Sequence, residues 1–177
     1  MLNILAISGS LRAASTNSAL IEALAGVALP GFHVAIYDGL GRLPIFNPDD
    51  EGARTPVEAA SLIEAVTRSD GVIVACPEYA HGVPGGLKNA LDWLVSRDAA
   101  VDKPAMLVHA SSRSLACRPA LREIMRTMSF SLHPGPELEI ALLGKSPQQV
   151  KAVLAEPVNI VLMRECLTDF RSFVNGR

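Results

Sequence analysis

The sequence predicts one α/β domain in which helices cover both faces of a parallel β-sheet. Residues 2–7, 71–76 and 103–109 form short apolar runs, and 71–76 is also rich in β-branched side chains, as expected of a strand that is buried on both faces. Each run is followed by a polar or Gly- and Pro-containing loop, and then by apolar residues at helical spacing. With 177 residues, 49% of them hydrophobic and 19% charged, the chain is long enough to bury a single core, so we expect one domain over residues 1–177.

Strands and helices are predicted to alternate along the chain. Strands are expected at 2–7, 33–37, 71–76 and 103–109, with a weaker fifth strand within 129–140 that Pro134-Gly135-Pro136 interrupts. Helices are expected at about 16–29, 55–68, 84–97 and 119–128, and a last helical segment runs from 146 to about 174 with a break at Pro157. Thr55, Pro56 and Glu58 predict a helix start with a capping box. The alternation gives a three-layer α/β/α sandwich whose five parallel strands most often take the order 2-1-3-4-5, with the switch point between strands 1 and 3.

The loop after the first strand, residues 8–18, is rich in hydroxyl side chains and ends where a helix begins. A helix N-terminus attracts anions, and Arg12 with the neighbouring hydroxyls would complete the surroundings of a phosphate. The simpler alternative is that Ser15 or Thr16 only caps the helix and that Arg12 is solvated. The loop by itself favours neither alternative.

Several other classes of protein are excluded by the sequence. No Gly-x-Gly-x-x-Gly follows the first strand, Gly144-Lys145-Ser146 lacks the first glycine of a Walker A loop, and Gly9 is not part of a nucleophile elbow. The net charge of −2 gives no reason to expect nucleic acid or an anionic membrane as a partner. Cys76, Cys117 and Cys166 are odd in number and widely spaced, which predicts neither a metal site nor a disulfide framework and suits a reducing cytoplasm.

The loop after the third strand carries a longer motif. It contains Pro77-Glu78-Tyr79, Pro84-Gly85, Leu87-Lys88-Asn89-Ala90 and Asp92-Trp93, and the first loop adds Gly9-Ser10-Leu11-Arg12, Ser15 and Asn17. Together the two loops resemble the NADPH-dependent FMN reductase family, flavodoxin-like enzymes that include quinone, chromate and azo-dye reductases. The resemblance extends from Met1 to about Met128.

The resemblance implies an enzyme that passes electrons from NADPH or NADH through bound FMN to a small acceptor, such as a quinone, an azo dye, a metal oxyanion or free flavin. It implies that Ser10, Arg12, Ser15, Thr16, Asn17 and Ser18 hold the FMN phosphate. It places the flavin ring along Pro77, Glu78 and Tyr79, near the backbone of Ala80, His81 and Gly82. It also implies a cytoplasmic homodimer or homotetramer. We expect no metal and assign no side chain as general acid or base, since hydride transfer at a flavin does not require one.

Two departures from the family pattern concern the flavin site. Many members have Asn where this chain has Ala80, so one hydrogen bond to the flavin is lost or is supplied by His81. Many also have a Gly-Gly stretch in the third loop, whereas this chain has side chains from Ser111 to Cys117, which keep the loop further from the ring. Arg113 is instead expected to meet a phosphate or carboxylate of the second substrate. These departures keep open a non-catalytic ligand sensor as an alternative, and a flavodoxin-like electron carrier is a second one, although such carriers are usually strongly acidic.

Several single residues have competing interpretations. We prefer a structural role for Glu78, hydrogen-bonded to the backbone or to flavin, over acid–base work. Trp93 is expected in the core or an interface, His109 is expected to be an ordinary histidine, and Cys76 is expected to be inert. The apolar segment 43–48 either packs locally or meets another subunit, and we slightly prefer the second.

Overall fold

The computed structural model describes residues 1–176, in which a parallel sheet lies between two layers of helices. The strands are β1 (Leu2–Ser8), β2 (Phe32–Tyr37), β3 (Gly71–Ala75), β4 (Pro104–His109), β5 (Ser131–Leu132) and β6 (Leu138–Glu139). The helices are α1 (Thr16–Gly26), α2 (Val57–Arg68), α3 (Gly85–Asp92), α4 (Cys117–Thr127), α5 (Pro147–Leu154) and α6 (Pro157–Asn175). The predicted three-layer fold and the break at Pro157 are therefore confirmed.

The strand order β2-β1-β3-β4-β5 is the predicted one, and all the pairs are parallel. The fifth position differs from the expectation, because β5 and β6 are separate two-residue strands that both pair with β4. Pro134 and Pro136 lie between them, and a proline has no N–H to continue a ladder. Ser8 pairs with Ala75, so the loops that follow β1 and β3 leave the sheet side by side.

The alternating side chains of the strands supply two separate cores. Leu5, Ile7, Val72 and Val74 pack with α2, α3 and α4 on one face of the sheet. Ile4, Ala6 and Ile73 pack with α1, α5 and α6 on the other face. All five residues of β3 are buried, as the unbroken apolar run predicts for a central strand with both faces covered.

The capping box predicted for α2 is wrong. α2 begins at Val57 with Pro56 as its N-cap, and no side chain caps it. The hydroxyl of Thr55 instead donates to the Gly52 carbonyl at 2.9 Å and accepts from Arg97 at 3.2 Å. Thr55 therefore closes a short 3₁₀ turn in the long connection after β2 and is not available to the helix.

The apolar segment 43–48 packs onto α3 and the residue that follows it. The carbonyl of Pro44 accepts from Asn89 Nδ2 and from Trp93 Nε1, both at 2.9 Å. The ring of Phe46 meets that of Trp93 edge-on, with the centroids 5.1 Å apart. Ile45 points away and is 82% exposed. Local packing thus accounts for Phe46, and Ile45 is a large apolar side chain of this segment that stays accessible to another molecule.

Candidate cofactor-binding site

The first loop begins with a glycine that allows two loops to touch. The N–H of Gly9 donates to the Ala75 carbonyl at 2.8 Å. A Cβ at Gly9 would lie 2.9 Å from Cδ2 of Leu87 and 3.2 Å from Cδ of Pro77. A larger residue at position 9 would therefore require the buried Leu87 side chain to shift and would crowd Pro77 in the second loop.

Hydroxyl groups surround the N-terminus of α1. Ser15 is the N-cap, and its Oγ accepts from the Ser18 N–H at 3.2 Å. Ser18 in turn donates its own hydroxyl to Ser8 Oγ at 2.9 Å. Ser10, Ser15 and Asn17 are all buried, and within residues 1–176 the Oδ1 atom of Asn17 has no hydrogen-bond partner. A buried polar group without a partner is costly, so this helix end suits a polar ligand.

Arg12 is the cation of this loop. Its side chain is exposed, and in the described part of the chain it forms no ion pair. Ser15 caps the helix, which is what the simpler of the two alternatives predicted. It also lines a cavity between the loops. Capping and ligand binding are therefore compatible at this position.

The second loop forms a tight hairpin. The N–H of Tyr79 donates to the Gly82 carbonyl at 3.2 Å, and the N–H of Gly82 donates to the Tyr79 carbonyl at 3.0 Å. Between them Ala80 and His81 have φ angles of +49° and +57°, the left-handed pair of a type I′ turn. The hydroxyl oxygens of Tyr79 and Ser10 are 3.4 Å apart, so the hairpin contacts the first loop.

Glu78 ties the second loop to the start of α4. Its Oε2 atom accepts from the N–H groups of Ala116 at 2.8 Å and Cys117 at 2.9 Å. Its Oε1 atom lies 3.3 Å from Nδ1 of His81. The N–H of Cys117, followed by that of Ala116 and the charge of His81, lowers the pKa of the Glu78 carboxyl. The ionised side chain therefore links the second loop to α4, which agrees with the structural role expected for it.

The third loop is held by a network of charged side chains that the sequence did not reveal. Arg118 donates to the Ser111 carbonyl at 2.6 Å and to Glu139 at 2.5 Å. His109, which is buried, and Arg122 each lie 2.6 Å from a different oxygen of Glu137. Burial acts to raise the pKa of Glu137, but the hydrogen bond and charge of His109, with Arg122, outweigh it and lower that pKa. His109 thus helps to hold Glu137 in place, a hydrogen-bonded role that the sequence did not reveal.

One cavity of about 1080 Å³ opens between the three loops. Of the residues predicted for the site, those that line it are Ser10, Arg12, Ser15, Thr16, Asn17, Ser18, Pro77, Glu78, Tyr79, Ser111 and Arg113. Ala80, His81 and Gly82 lie in the hairpin beyond Tyr79, outside this lining. Arg113 is exposed, and its N–H donates to Ser111 Oγ at 3.0 Å.

The cavity continues away from the loops into a groove between α1 and the α5–α6 pair. Ala23 and Val27 line it on one side, and Val150, Leu154 and Met163 line it on the other. Pockets for one small molecule usually measure about 300–1,000 Å³, so a cavity of about 1080 Å³ is at the upper end of that range. Sequence patterns did not indicate this groove, because it depends on how α1 packs against α5.

The residues present fit FMN. The end of the cavity at α1 offers buried hydroxyls, the unpartnered Asn17 oxygen and Arg12 to a phosphate. The end at Pro77 and Tyr79 offers flat apolar surface to a ring system. Within residues 1–176 no three His, Cys, Asp or Glu side chains are grouped so that they could hold a metal ion.

Fold and cavity together define a flavodoxin-like nucleotide-binding protein. The family model described as NADPH-dependent FMN reductase matches residues 2–142. The chain belongs to this family and is an FMN-dependent NAD(P)H oxidoreductase that acts on small-molecule acceptors.

Relatives and solved structures agree with this assignment. The chain is 35% identical over 149 residues to the NADH:(hydroxy)cinnamate reductase subunit CrdA of Vibrio ruber, covering 82% of this chain and 72% of that one. It is 33% identical over 145 residues to a quinone reductase of Escherichia coli, covering 77% and 76%. The fold matches the flavoenzyme NAD(P)H:(acceptor) oxidoreductase FerB from Paracoccus denitrificans with a TM-score of 0.83 at 22% identity, over 99% of this chain and 98% of that one. Over residues 1–176 we find no helix that combines the length and apolar character needed to cross a bilayer.

Proposed function

We propose that the first loop holds the phosphate of FMN and that the second loop lines its flavin ring. The phosphate would be bound by the N-terminus of α1, by Arg12 and by the polar side chains around them: Ser10, Ser15, Thr16, Asn17 and Ser18. The ring would lie along Pro77, Glu78 and Tyr79, with the hairpin of Ala80, His81 and Gly82 at its edge. Ser111 and Arg113 would border the side from which the second substrate enters.

The observation that carries this proposal is that both loops open onto the same cavity and are joined to each other. The Gly9–Ala75 hydrogen bond and the contact between Ser10 and Tyr79 hold the phosphate end and the ring end at a fixed spacing. A ligand with an anion at one end and a flat ring at the other would contact both loops at once. Such preorganisation lowers the entropic cost of binding.

When bound in this cavity, FMN would supply the redox chemistry between NAD(P)H and the acceptor. The chain's own residues bind and orient it. The ionised Glu78 keeps the second loop and α4 together, and it gives no proton at neutral pH because its pKa is lowered. The exposed guanidinium of Arg113 would attract the negatively charged nicotinamide nucleotide or an anionic acceptor.

Quinones are the acceptor class we propose. The quinone reductase of Escherichia coli is among the chain's relatives, and a quinone is a flat apolar ring of the kind that stacks beside Tyr79. The carrier and sensor alternatives predict no turnover. Mixing the FMN-loaded protein with NADPH without oxygen should bleach the visible flavin band, and adding benzoquinone should restore it. Colour that NADPH cannot bleach would support a carrier, and a protein that takes up no FMN would support a sensor.

A comparison of FMN with riboflavin tests the phosphate assignment, since riboflavin has the same ring but no phosphate. Arg12→Ala should weaken FMN binding about tenfold or more, because a charged hydrogen bond contributes about 1.5–3 kcal/mol. It should leave riboflavin binding unchanged. Tyr79→Ala should weaken both ligands alike. Flavin fluorescence titration measures all of these affinities, and Arg126→Ala, an exposed arginine in the last turn of α4, is the matched control.

Equal losses for FMN and riboflavin in Arg12→Ala would contradict the phosphate assignment. Loss of FMN affinity in Arg126→Ala would indicate a general effect of net charge instead.

We also propose that the protein is a cytoplasmic homodimer or homotetramer. The three free cysteines suit a reducing compartment. Ile45 and Leu11 are exposed apolar side chains close to the cofactor loops, and they are candidates for a contact between subunits. Ile45→Asp should lower the mass measured by light scattering if this surface is the interface. Phe46 is unsuitable for that test, because it packs on Trp93 within the subunit.

A further inference from the structure

Two cysteines from separate elements meet beneath the cofactor loops. Cys76 directly follows β3 and Cys117 is the first residue of α4. Their Sγ atoms are 2.9 Å apart, and both side chains are buried. The S–S distance in a disulfide is about 2.05 Å, so an approach of less than one ångström would join them. Both thiols are free in this structure.

The surroundings give the two thiols different roles. The two thiols share a hydrogen bond in which either sulfur can be the donor, and this interaction lowers the pKa of Cys117 and raises that of Cys76. Cys117 also lies at the N-terminus of α4, where the helix dipole favours a thiolate. The carboxylate of Glu78 acts in the opposite direction on both thiols. Cys117 is therefore the more nucleophilic sulfur, and Cys76 is the thiol placed to react with it afterwards.

Cys76 lines the cavity between the loops, and Cys117 lies directly behind it with its Sγ atom 2.9 Å from that of Cys76. A small oxidant would therefore enter from the cavity and reach Cys117 past Cys76. The third cysteine lies in a different environment. Cys166 is on α6, packs in the core on the opposite face of the sheet, and contacts Met106 Sδ at 3.2 Å. Burial raises its pKa to about 11, which makes it the unreactive comparison.

We propose that Cys76 and Cys117 are a redox-active dithiol that hydrogen peroxide oxidises to a disulfide. The Cys117 thiolate attacks one peroxide oxygen and the O–O bond breaks, which leaves a sulfenic acid and, after protonation, water. Cys76 then attacks the sulfenic sulfur, the S–O bond breaks and a second water leaves. Two thiols lose two electrons and two protons, and one peroxide is reduced to two waters. The disulfide would tie the start of the second loop covalently to α4.

The experiment uses the full chain without added flavin, so that its result does not depend on FMN binding. The folded protein is treated with hydrogen peroxide, free thiols are alkylated, and the tryptic peptides are analysed by mass spectrometry without reduction. The expected product links peptide 69–88, which contains Cys76, to peptide 114–122, which contains Cys117, and has lost two hydrogens. Peptide 165–171, which contains Cys166, should be alkylated as in the untreated protein. Dithiothreitol should separate the linked peptides again.

Variants provide matched controls. Cys166→Ser should form the linked peptide as the original chain does, whereas Cys76→Ser and Cys117→Ser should not. In Cys76→Ser, Cys117 should stop at the sulfenic acid or oxidise further. The proposal is overturned if the folded chain gives no linked peptide, if Cys117 is converted to sulfinic acid while Cys76 stays free, or if the link forms only after unfolding in urea.

Discussion

Replacing Ala80 with glycine is expected to stabilise the protein without removing any contact described here. Ala80 is exposed and has a φ of +49° in the hairpin between Tyr79 and Gly82. An L-residue with a Cβ pays roughly 1–2 kcal/mol in the left-handed region. Glycine avoids this cost, although its greater freedom in the unfolded chain costs about 0.5–1 kcal/mol.

The net gain for Ala80→Gly should therefore be about 0.5–1 kcal/mol in the free energy of unfolding, or a rise in Tm of about 1–4 °C for a domain of this size. Ala60→Gly is the matched control, since Ala60 is exposed within α2. The same chemical change there should cost about 1 kcal/mol, because glycine is a poor helix former. The two variants are thus predicted to change the free energy of unfolding in opposite directions.

Urea denaturation of the flavin-free chain measures both variants. The fluorescence of Trp93, the single tryptophan and a buried one, reports unfolding of the core, and far-UV circular dichroism provides a second probe. Coincident curves and an unchanged m-value are required for the comparison. If Ala80→Gly destabilised the chain as much as Ala60→Gly does, the left-handed turn would not store the strain attributed to it.

Three further changes test the loops and their supports. Gly9→Ala should lose about 1–3 kcal/mol of stability in urea denaturation because its Cβ has no room, whereas Gly26→Ala, with open space around it, should lose none. The pKa of Glu78 is lowered in the folded chain. The stability that Glu78 contributes is therefore present above its ordinary pKa of 4.5 and is lost as the pH falls through the lowered pKa of the folded state. Acid denaturation should accordingly be less steep in Glu78→Gln than in the original chain. Glu137→Gln should cost roughly 2–3 kcal/mol of stability, less than breaking a fully buried ion pair, because its partner Arg122 is partly solvated. An effect no larger than that of Glu64→Gln, an exposed pair, would contradict the supporting role given to this network.

The strand order and the meeting of the first two loops at one cavity were predictable because their signals are local. An unbroken apolar run such as 71–76 identifies a central strand, and strand alternation with right-handed crossovers then brings the loops after β1 and β3 together. Gly9 and Pro77 mark in the sequence where those two loops begin. The break at Pro157 was equally visible, because a proline is not tolerated in the interior of a helix but is favoured in its first turn, where Pro157 begins α6.

Contacts between distant parts of the chain were not predictable. Thr55 stands at a position where the local sequence predicts a helix cap, but its hydroxyl is hydrogen-bonded to Gly52 and Arg97 instead. No local pattern reveals these competing partners. His109 pairs with Glu137 only because β4 and the segment before β6 lie side by side. Cys76 and Cys117, 41 residues apart, meet for the same kind of reason. In each case the partner is chosen by tertiary packing.

The division of the last strand into β5 and β6 has a consequence for how this protein can aggregate. A long open edge of a sheet is a template on which another polypeptide can add a strand. On the β4 side the ladder is interrupted after Leu132 and resumes only at Leu138, with prolines between that can donate no hydrogen bond. Another chain therefore cannot add a continuous strand at this edge, because the backbone there offers no unbroken row of hydrogen-bonding groups. At the opposite edge, β2, strand addition would have to be prevented by surface charge or by a covering molecule.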